Sequence, residues 1–306
     1  MPITENQILQ FLAKRFNPAN DPRFIGDDAA VLDAIHRRPL LVSADTLCEG
    51  QHFARKTASR RIGRKLASIS LSDIAAMGGR PRYLFISLTL PETTKPSWVR
   101  SLYRGISEAI HPFEVLLCGG DTVSGPVPVL TSVCLGESIA EKPIYRKGAK
   151  AGETIYATGL FGYSYSSGHH LDFTPRNNEI EWLLGRCRLS SLTDASDGLA
   201  RAIELITLEQ KLGADIRCEH IMIRGNRKRS PGTLSRALFD GEDFELVFTA
   251  PRIPSKILAQ FRKKFNIPIN AIGTVSKSAK LRYLCDQKIL TLEGKPFAHF
   301  KNPRAV

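Results

Sequence analysis

Aspartates recur at the ends of apolar runs in this chain, and few features restrict a fold more. They occur in "FIGDDAAVL" (24–32), "LVSADTLCEG" (41–50), "LASISLSDIAAMGG" (66–79), "LLCGGD" (116–121) and "SLTDASDG" (191–198). A carboxylate at such a place is partly desolvated, and it persists only where a cation, a basic partner or a hydrogen-bond network offsets the cost. Asp73 is the most informative. It falls four residues after Ile69 and four before Met77, so on a helix it shares their apolar stripe. A metal would explain it, and so would an ion pair with a nearby arginine. Asp197 taken alone reads as a helix cap or Asx turn. Asp28, Asp45, Asp73, Asp121, Asp194 and Asp197 taken together suggest a site. Two unpaired carboxylates within 4 Å repel by about 4 kcal/mol at an effective dielectric of 20. Hard divalent cations remove that penalty, and magnesium commonly shares its coordination with phosphate oxygens and water. The acids therefore read as magnesium ligands.

The phosphate side is less explicit. Neither GxxxxGK[ST] nor GxGxxG occurs. "GGD" at 119–121 would let backbone approach a phosphate beside an acid, although glycine pairs also mark plain turns. "YRKGAKAG" brings Arg146, Lys147 and Lys150 to a turn-rich stretch, as phosphate contacts or as an exposed basic turn. No Ser-His-Asp, Cys-His or HExxH arrangement stands out. His52 follows "DTLCEGQ", near the acids, and His169-His170 reads as a surface loop pair. These signals point to metal-assisted phosphoryl transfer without a covalent enzyme intermediate.

The chain has 306 residues, enough for two domains with their own cores, and a net charge of +13. Its basic runs, "RRIGRK" (60–65), "RGNRKR" (224–229) and "RKK" (262–264), are dispersed and not interleaved with aromatics. They read as solvated faces that also attract an anionic substrate at long range, which makes nucleic acid an unpromising partner. Six scattered cysteines without a CxxC pair read mostly as small buried hydrophobes in a reducing compartment. No apolar stretch is long enough to span a membrane. Residues 4–16 resemble a capped amphipathic helix and not a signal peptide, so a cytoplasmic protein is expected.

Strands are expected at 38–45, ending in Asp45, at 82–91, at "EVLLC" running into "GGD", and at 127–136. Helices are expected at 59–78 and 96–111. A polar stretch over 137–152 separates this block from a second set. That set comprises strands at "ETIYATG", "DFELVFTAP", "NAIGTV" and "LRYLC", a short helix after the ambiguous segment 161–178, a helix near Asp197 and another at 254–265. The elements lack the alternation of a doubly wound sheet, so two α+β domains, 1–138 and 139–306, are expected.

The ordered set "GDDAAVL", "SADTLCEGQHF", "SLSDIAAMGGRP", "LLCGGDTVSGP", "RKGAKAGETIYATG", "TDASDGLA" and "GEDFELVFT" resembles the thiamine-monophosphate kinase family. That family lies within the ATP-binding superfamily of aminoimidazole ribonucleotide synthetase and selenophosphate synthetase. The resemblance runs from about residue 24 to 300. It implies a two-domain α+β architecture of the aminoimidazole ribonucleotide synthetase type, with the N-terminal domain pairing across a twofold homodimer. The implied activity is ATP-dependent phosphorylation of thiamine phosphate to thiamine diphosphate, assisted by several Mg2+ ions. Carried over by position, Asp28, Ser43, the Ala44 backbone, Asp45, Asp73, Asp121, Asp194 and Asp197 would hold metal. Tyr103, Gly120, Asp121, Arg146 and Ser196 would contact ATP. His52, Glu242, Asp243 and Phe297 would face thiamine phosphate, with the Phe297 ring suited to a thiazolium cation. Arg146 and Asp121 would stabilise transition-state charge, and no catalytic base is assigned, because a phosphate nucleophile is already anionic. Ala44, Ala195 and the segment 161–178 depart from the family's usual residues. Another member of the superfamily acting on a different small phosphoacceptor is the nearest alternative. A non-catalytic derivative that binds ATP or nucleic acid is the more distant one.

Overall fold

The fold is that of a computed structural model, which describes residues 30–32, 38–225, 228–285, 288–290, 292 and 294. The helix expected over 4–16, together with Asp27, Asp28 and Phe297, lies outside the described residues.

The first half builds a five-stranded sheet of β1 (Ala30–Leu32), β2 (Leu40–Cys48), β3 (Gly79–Leu90), β4 (Leu116–Ser124) and β5 (Val129–Ser138). The order is β1-β2-β5-β3-β4, antiparallel except between β3 and β4. Exposure alternates along β5 residue by residue, the pattern of a sheet covered on one face. The cover is α1 (Ser59–Ala76) and α2 (Pro96–Ile110), which close a core around Leu41, Leu66, Leu84, Ile86, Leu102 and Ile106. The two helices cross with almost no gap. A Cβ on Gly63 would fall 2.0 Å from the Leu102 carbonyl oxygen, and one on Gly105 would fall 1.8 Å from that of Arg60.

The second half builds a seven-stranded sheet of β6 (Thr154–Thr158), β7 (Ser191–Asp194), β8 (Gly213–Arg217), β9 (Leu246–Ala250), β10 (Ile269–Ser276), β11 (Leu281–Cys285) and β12 (Lys288–Leu290). The order is β12-β11-β8-β10-β6-β9-β7. Two single helical turns, α3 (Ser164–Ser167) and α4 (His169–Asp172), precede α5 (Asn177–Leu184). The remaining helices are α6 (Leu199–Thr207), α7 (Pro231–Phe239) and α8 (Ser255–Phe265). α6 and α7 contribute to one core beside Ile155, Ala157 and Val247, while α5 and α8 contribute to another beside Tyr156 and Phe248. β7 and β9 are buried at every position, because both faces of this part of the sheet are covered. No described helix is long and apolar enough to cross a membrane.

Several expectations are corrected. β2 does not stop at Asp45, because β5 offers partners as far as Cys48 opposite Val129. β4 runs straight through Gly119-Gly120-Asp121, since β3 pairs with it to Ser124. At Gly120 (φ +150°) a Cβ would fall 1.6 Å from the Ile86 carbonyl oxygen, so backbone packing alone requires glycine there. β1, β7, β8, β12 and α7 were not expected. α7 nonetheless carries a legible start, a Ser230–Thr233 capping box with Pro231 in its first turn. Of the six cysteines only Cys134 and Cys218 are buried, and Cys118 on the uncovered β4 is exposed.

The run "RRIGRK" is a solvated face only at its start, where Arg60 is exposed. Arg60 pairs with Glu108, Arg61 grips Asp172 and the Gly168 carbonyl, Arg64 donates to Thr174, and Lys65 is buried. The segment 161–178 receives most of these bonds and adds Asn177, whose Nδ2 donates to the Leu71 carbonyl. It thereby straps α1 to the second sheet.

Candidate active site

Three serines alternate with apolar residues in α1, at 68, 70 and 72, and all are buried. A buried hydroxyl needs an acceptor, and two of these find carboxylates on opposite sides of the helix. Ser70 Oγ donates to Asp45 Oδ2 at 2.9 Å, while Ser72 Oγ donates to Asp194 Oδ2 at 2.7 Å. The helix thus links an acid of the first sheet to one of the second.

Asp73, half-buried on the same helix, accepts a short hydrogen bond from Ser43 Oγ. Ser43 Oγ also lies 3.4 Å from Asp45 Oδ2. One hydroxyl proton is therefore shared between two carboxylates no more than about 6 Å apart, two hydrogen-bond reaches. Their field extends to Cys134 on β5, whose thiol is pushed up first by burial and then by Asp73 and Asp45.

Opposite these acids, the turns Ala195–Asp197 and Gly241–Phe244 dock on each other. The Glu242 N–H donates to the Ser196 carbonyl, and the Asp243 and Phe244 N–H groups donate to that of Ala195. Between the two halves lies a cavity of about 310 Å³, lined by Ala44, Asp45, Thr46, Leu47, Gln51, His52, Lys65, Ile69, Ser196, Asp197, Glu242 and Phe244. Residues 150 or more positions apart in sequence meet here. The Cys48 N–H donates to His52 Nδ1, which fixes the ring, and Phe244 stacks on Phe173 with centroids 4.1 Å apart.

The chain matches the description "AIR synthase related protein, N-terminal domain" over residues 26–138. It is 32% identical to the thiamine-monophosphate kinase of Bacillus subtilis (strain 168), over 90% of this chain and 93% of that protein. It is 30% identical to that of Escherichia coli (strain K12), over 91% and 92%. The chain belongs to the thiamine-monophosphate kinase family. Among solved structures, the thiamine-monophosphate kinase of Stenotrophomonas maltophilia K279a superposes with a TM-score of 0.73 at 27% identity, covering 89% of this chain and 95% of that one. A structure described as AaThiL complexed with AMPPCP and TMP shares the fold at a TM-score of 0.81 and 24% identity, over 98% and 99%.

Not every residue carried over from the thiamine-monophosphate kinases meets in this cavity. Asp121 is exposed on edge strand β4, level with Ser87, Thr131 and Thr46 across the sheet. Three strand spacings separate it from β2, about 14 Å. Tyr103 is half-buried against the first core. Arg146 is outside the lining, with its carbonyl accepting from Gln210 Nε2. Asp243 points away from the cavity: its buried carboxylate accepts from the Gly162 N–H, from Ser164 Oγ at 2.5 Å and from Arg224 Nη2 at 3.1 Å. Burial pushes that carboxyl up to about 7 against the pull of these donors. The His pair is not a surface loop. His170 is buried and stacked on Tyr165, and the His169 Nε2–H donates to the Asp243 carbonyl. Asp197 is not the cap of α6, a place taken by Gly198.

Lys65, Ser70, Ser72 and Phe244 are site residues that the sequence did not single out. The alternating serines of "SISLS" were the available signal for two of them. Among the described residues, no three His, Cys, Asp or Glu side chains gather into one metal-holding group. The donor set nonetheless fits magnesium. Asp45, Asp73 and Ser43 are hard oxygen donors already converging, and magnesium takes only one or two carboxylates when phosphates and waters complete its shell.

Proposed function

We propose that this chain transfers the γ-phosphoryl group of ATP to thiamine phosphate, forming thiamine diphosphate and ADP. The observation that carries the reading is the cavity itself, which joins Asp45, His52, Ser196, Asp197 and Glu242 from distant segments in a chain about 30% identical to thiamine-monophosphate kinases over nine-tenths of its length. Asp45, Asp73 and Ser43, with Asp197 across the cleft and Asp194 behind it on Ser72, would hold magnesium, which when bound offsets the negative charge of the two phosphate-bearing substrates. His52 and Glu242 would face the acceptor. Ser196 would meet ATP, helped by Arg146 from the linker. The nucleophile is a phosphate oxygen that needs no base, so the side chains here mainly orient charge and exclude water. The test is direct: purified chain with ATP, magnesium and thiamine phosphate, followed by chromatography. Thiamine diphosphate formed only with magnesium supports the reading, and its absence despite ATP binding moves the acceptor elsewhere.

The chain acts as a cytoplasmic homodimer of two-domain protomers divided near 138/139. Support for the dimer comes from the uncovered face and edge of the first sheet. Tyr83, Phe85, Leu116, Leu117 and Val123 are exposed there, with Leu116 at 61%. β4 is exposed along its whole length and has an open edge among the described strands. Such edges are normally covered or blunted. A second copy laid on this face would also bring Asp121 and Gly120 to a shared nucleotide site, in keeping with their distance from Asp45 within one chain. Replacing both Tyr83 and Phe85 by Glu is expected to leave the fold intact, since both side chains are exposed, and to give monomers by light scattering with at least a tenfold loss of activity. A variant that stays dimeric would place the interface elsewhere.

A further inference from the structure

Lys65 is 1% exposed, an unusual place for a lysine. It sits on α1 and lines the cavity described above. Its ammonium donates to the His52 carbonyl at 3.1 Å and to Glu242 Oε1 at 2.8 Å. One side chain therefore ties the turn that carries His52 in the first layer to the turn that carries Glu242 in the second.

Charge and backbone make that tie consequential. Asp45, Asp197 and Glu242 line the same cavity, and Lys65 is the one lysine or arginine among the described lining residues. Without it, the Glu242 carboxylate would swing from an ammonium toward a space shared with two other acids. The turn under Glu242 also has little intrinsic stability: Gly241, Glu242 and Phe244 all have positive φ, at +74°, +56° and +51°. Non-glycine residues hold that conformation only when surrounding contacts impose it. The backbone bonds to Ala195 and Ser196 hold one side of the turn, and the ion pair holds the other.

We propose that Lys65 is a positioning residue that sets the width and charge of the acceptor end of the cavity by holding Glu242 and the His52 turn at fixed separation. This rests on the reading of the cavity as the thiamine phosphate site. Lys65 acts through Glu242, whose carboxylate would meet the cationic ring of the acceptor, and through the placement of His52. It therefore governs thiamine phosphate recognition more than ATP recognition.

The test is steady-state kinetics on the full chain with each substrate varied in turn, for wild type, K65M, K65R, E242Q and the K65M/E242Q double variant. K65M is expected to raise the KM for thiamine phosphate tenfold or more while the KM for ATP stays within twofold, and K65R is expected to recover part of the loss. The double variant should be no worse than K65M, because both changes break one device. It also leaves no orphaned charge, so it keeps the test alive where K65M alone folds poorly. A folded K65M with unchanged KM for thiamine phosphate overturns the inference, as does an equal rise in both KM values or additive losses in the double variant. A wild-type chain that forms no thiamine diphosphate overturns the functional reading and this inference with it. Turnover by wild type with an unmoved K65M overturns the inference alone.

Discussion

Asp73→Asn is expected to reduce thiamine diphosphate formation by about 10²- to 10³-fold in kcat, the scale on which loss of one preorganised charge-stabilising group is felt. The folded chain should be no less stable for it. The reason lies in the geometry. Ser43 has one hydroxyl proton to offer two carboxylates, Asp73 and Asp45, which lie no more than about 6 Å apart, so their repulsion is at least about 3 kcal/mol at an effective dielectric of 20. An amide at position 73 removes that repulsion and keeps an oxygen for the Ser43 bond. The experiment therefore reads two quantities in opposite directions. Activity should collapse, while the Tm without magnesium should hold or rise by a few degrees. Wild type should gain Tm on titration with magnesium and ATP, by the linkage that stabilises any state binding a ligand, and the variant should gain much less. A variant that keeps full activity, or gains Tm with magnesium as wild type does, would remove Asp73 from the metal site. Selection for function against stability is the pattern expected where acids are crowded to receive a cation.

The acids at the ends of apolar runs were legible because a desolvated carboxylate is costly wherever it sits, so one chain suffices to notice it. Sequence separation hid which acids would meet. Asp45 and Asp73 converge through Ser43, and Asp194 meets the same helix on its other side through Ser72, but Asp121 stands apart, because β4 is added at the far edge of the sheet by a parallel pairing with β3 that nothing local dictates. The helix limits of α1 and α2 were readable to within two residues from periodicity and from Pro96, whereas the end of β2 was set by the length of its partner β5. The basic run at 60–65 departs from a solvated face after Arg60 for a related reason. On a helix exposed on one side it would face water, but α1 lies between two sheets, and its cations meet Glu108, Asp172 and Glu242. Of these cations, Arg61 and Lys65 join the two layers while Arg60 pairs within the first, and because each is matched by an acid none of them contributes to the excess of +13.

Arg224→Met is expected to destabilise the chain by about 3–5 kcal/mol at pH 8, the cost of leaving a buried acid without its cation. Arg224 donates to the Leu160 and Gly162 carbonyls and pairs with Asp243, which is completely buried. The loss should be smaller at pH 5, and the sign follows from two neighbouring groups. Burial raises the folded-state pKa of Asp243 to about 7, above the ordinary carboxylate value, so its contribution to stability falls as pH rises from about 4 through 7. Removing Arg224 raises that pKa further. The variant then meets the full penalty only where wild type holds the ionised pair, above pH 7. His169 adds in the same sense. Burial and the nearby Arg224 depress it to about 4, so wild type loses stability as pH falls from about 6.5 toward 4, and the variant loses less. Urea unfolding of both proteins at pH 5 and pH 8 measures the gap. Adding Asp243→Asn to the variant should remove most of the pH dependence contributed by the acid. A gap of equal size at both pH values would mean that Asp243 is ionised throughout and that its hydrogen bonds outweigh its burial. A widening gap identifies Asp243 as an internal anchor of the strap at 161–164 and leaves Glu242, its neighbour in sequence, as the acid of that pair that faces the cavity.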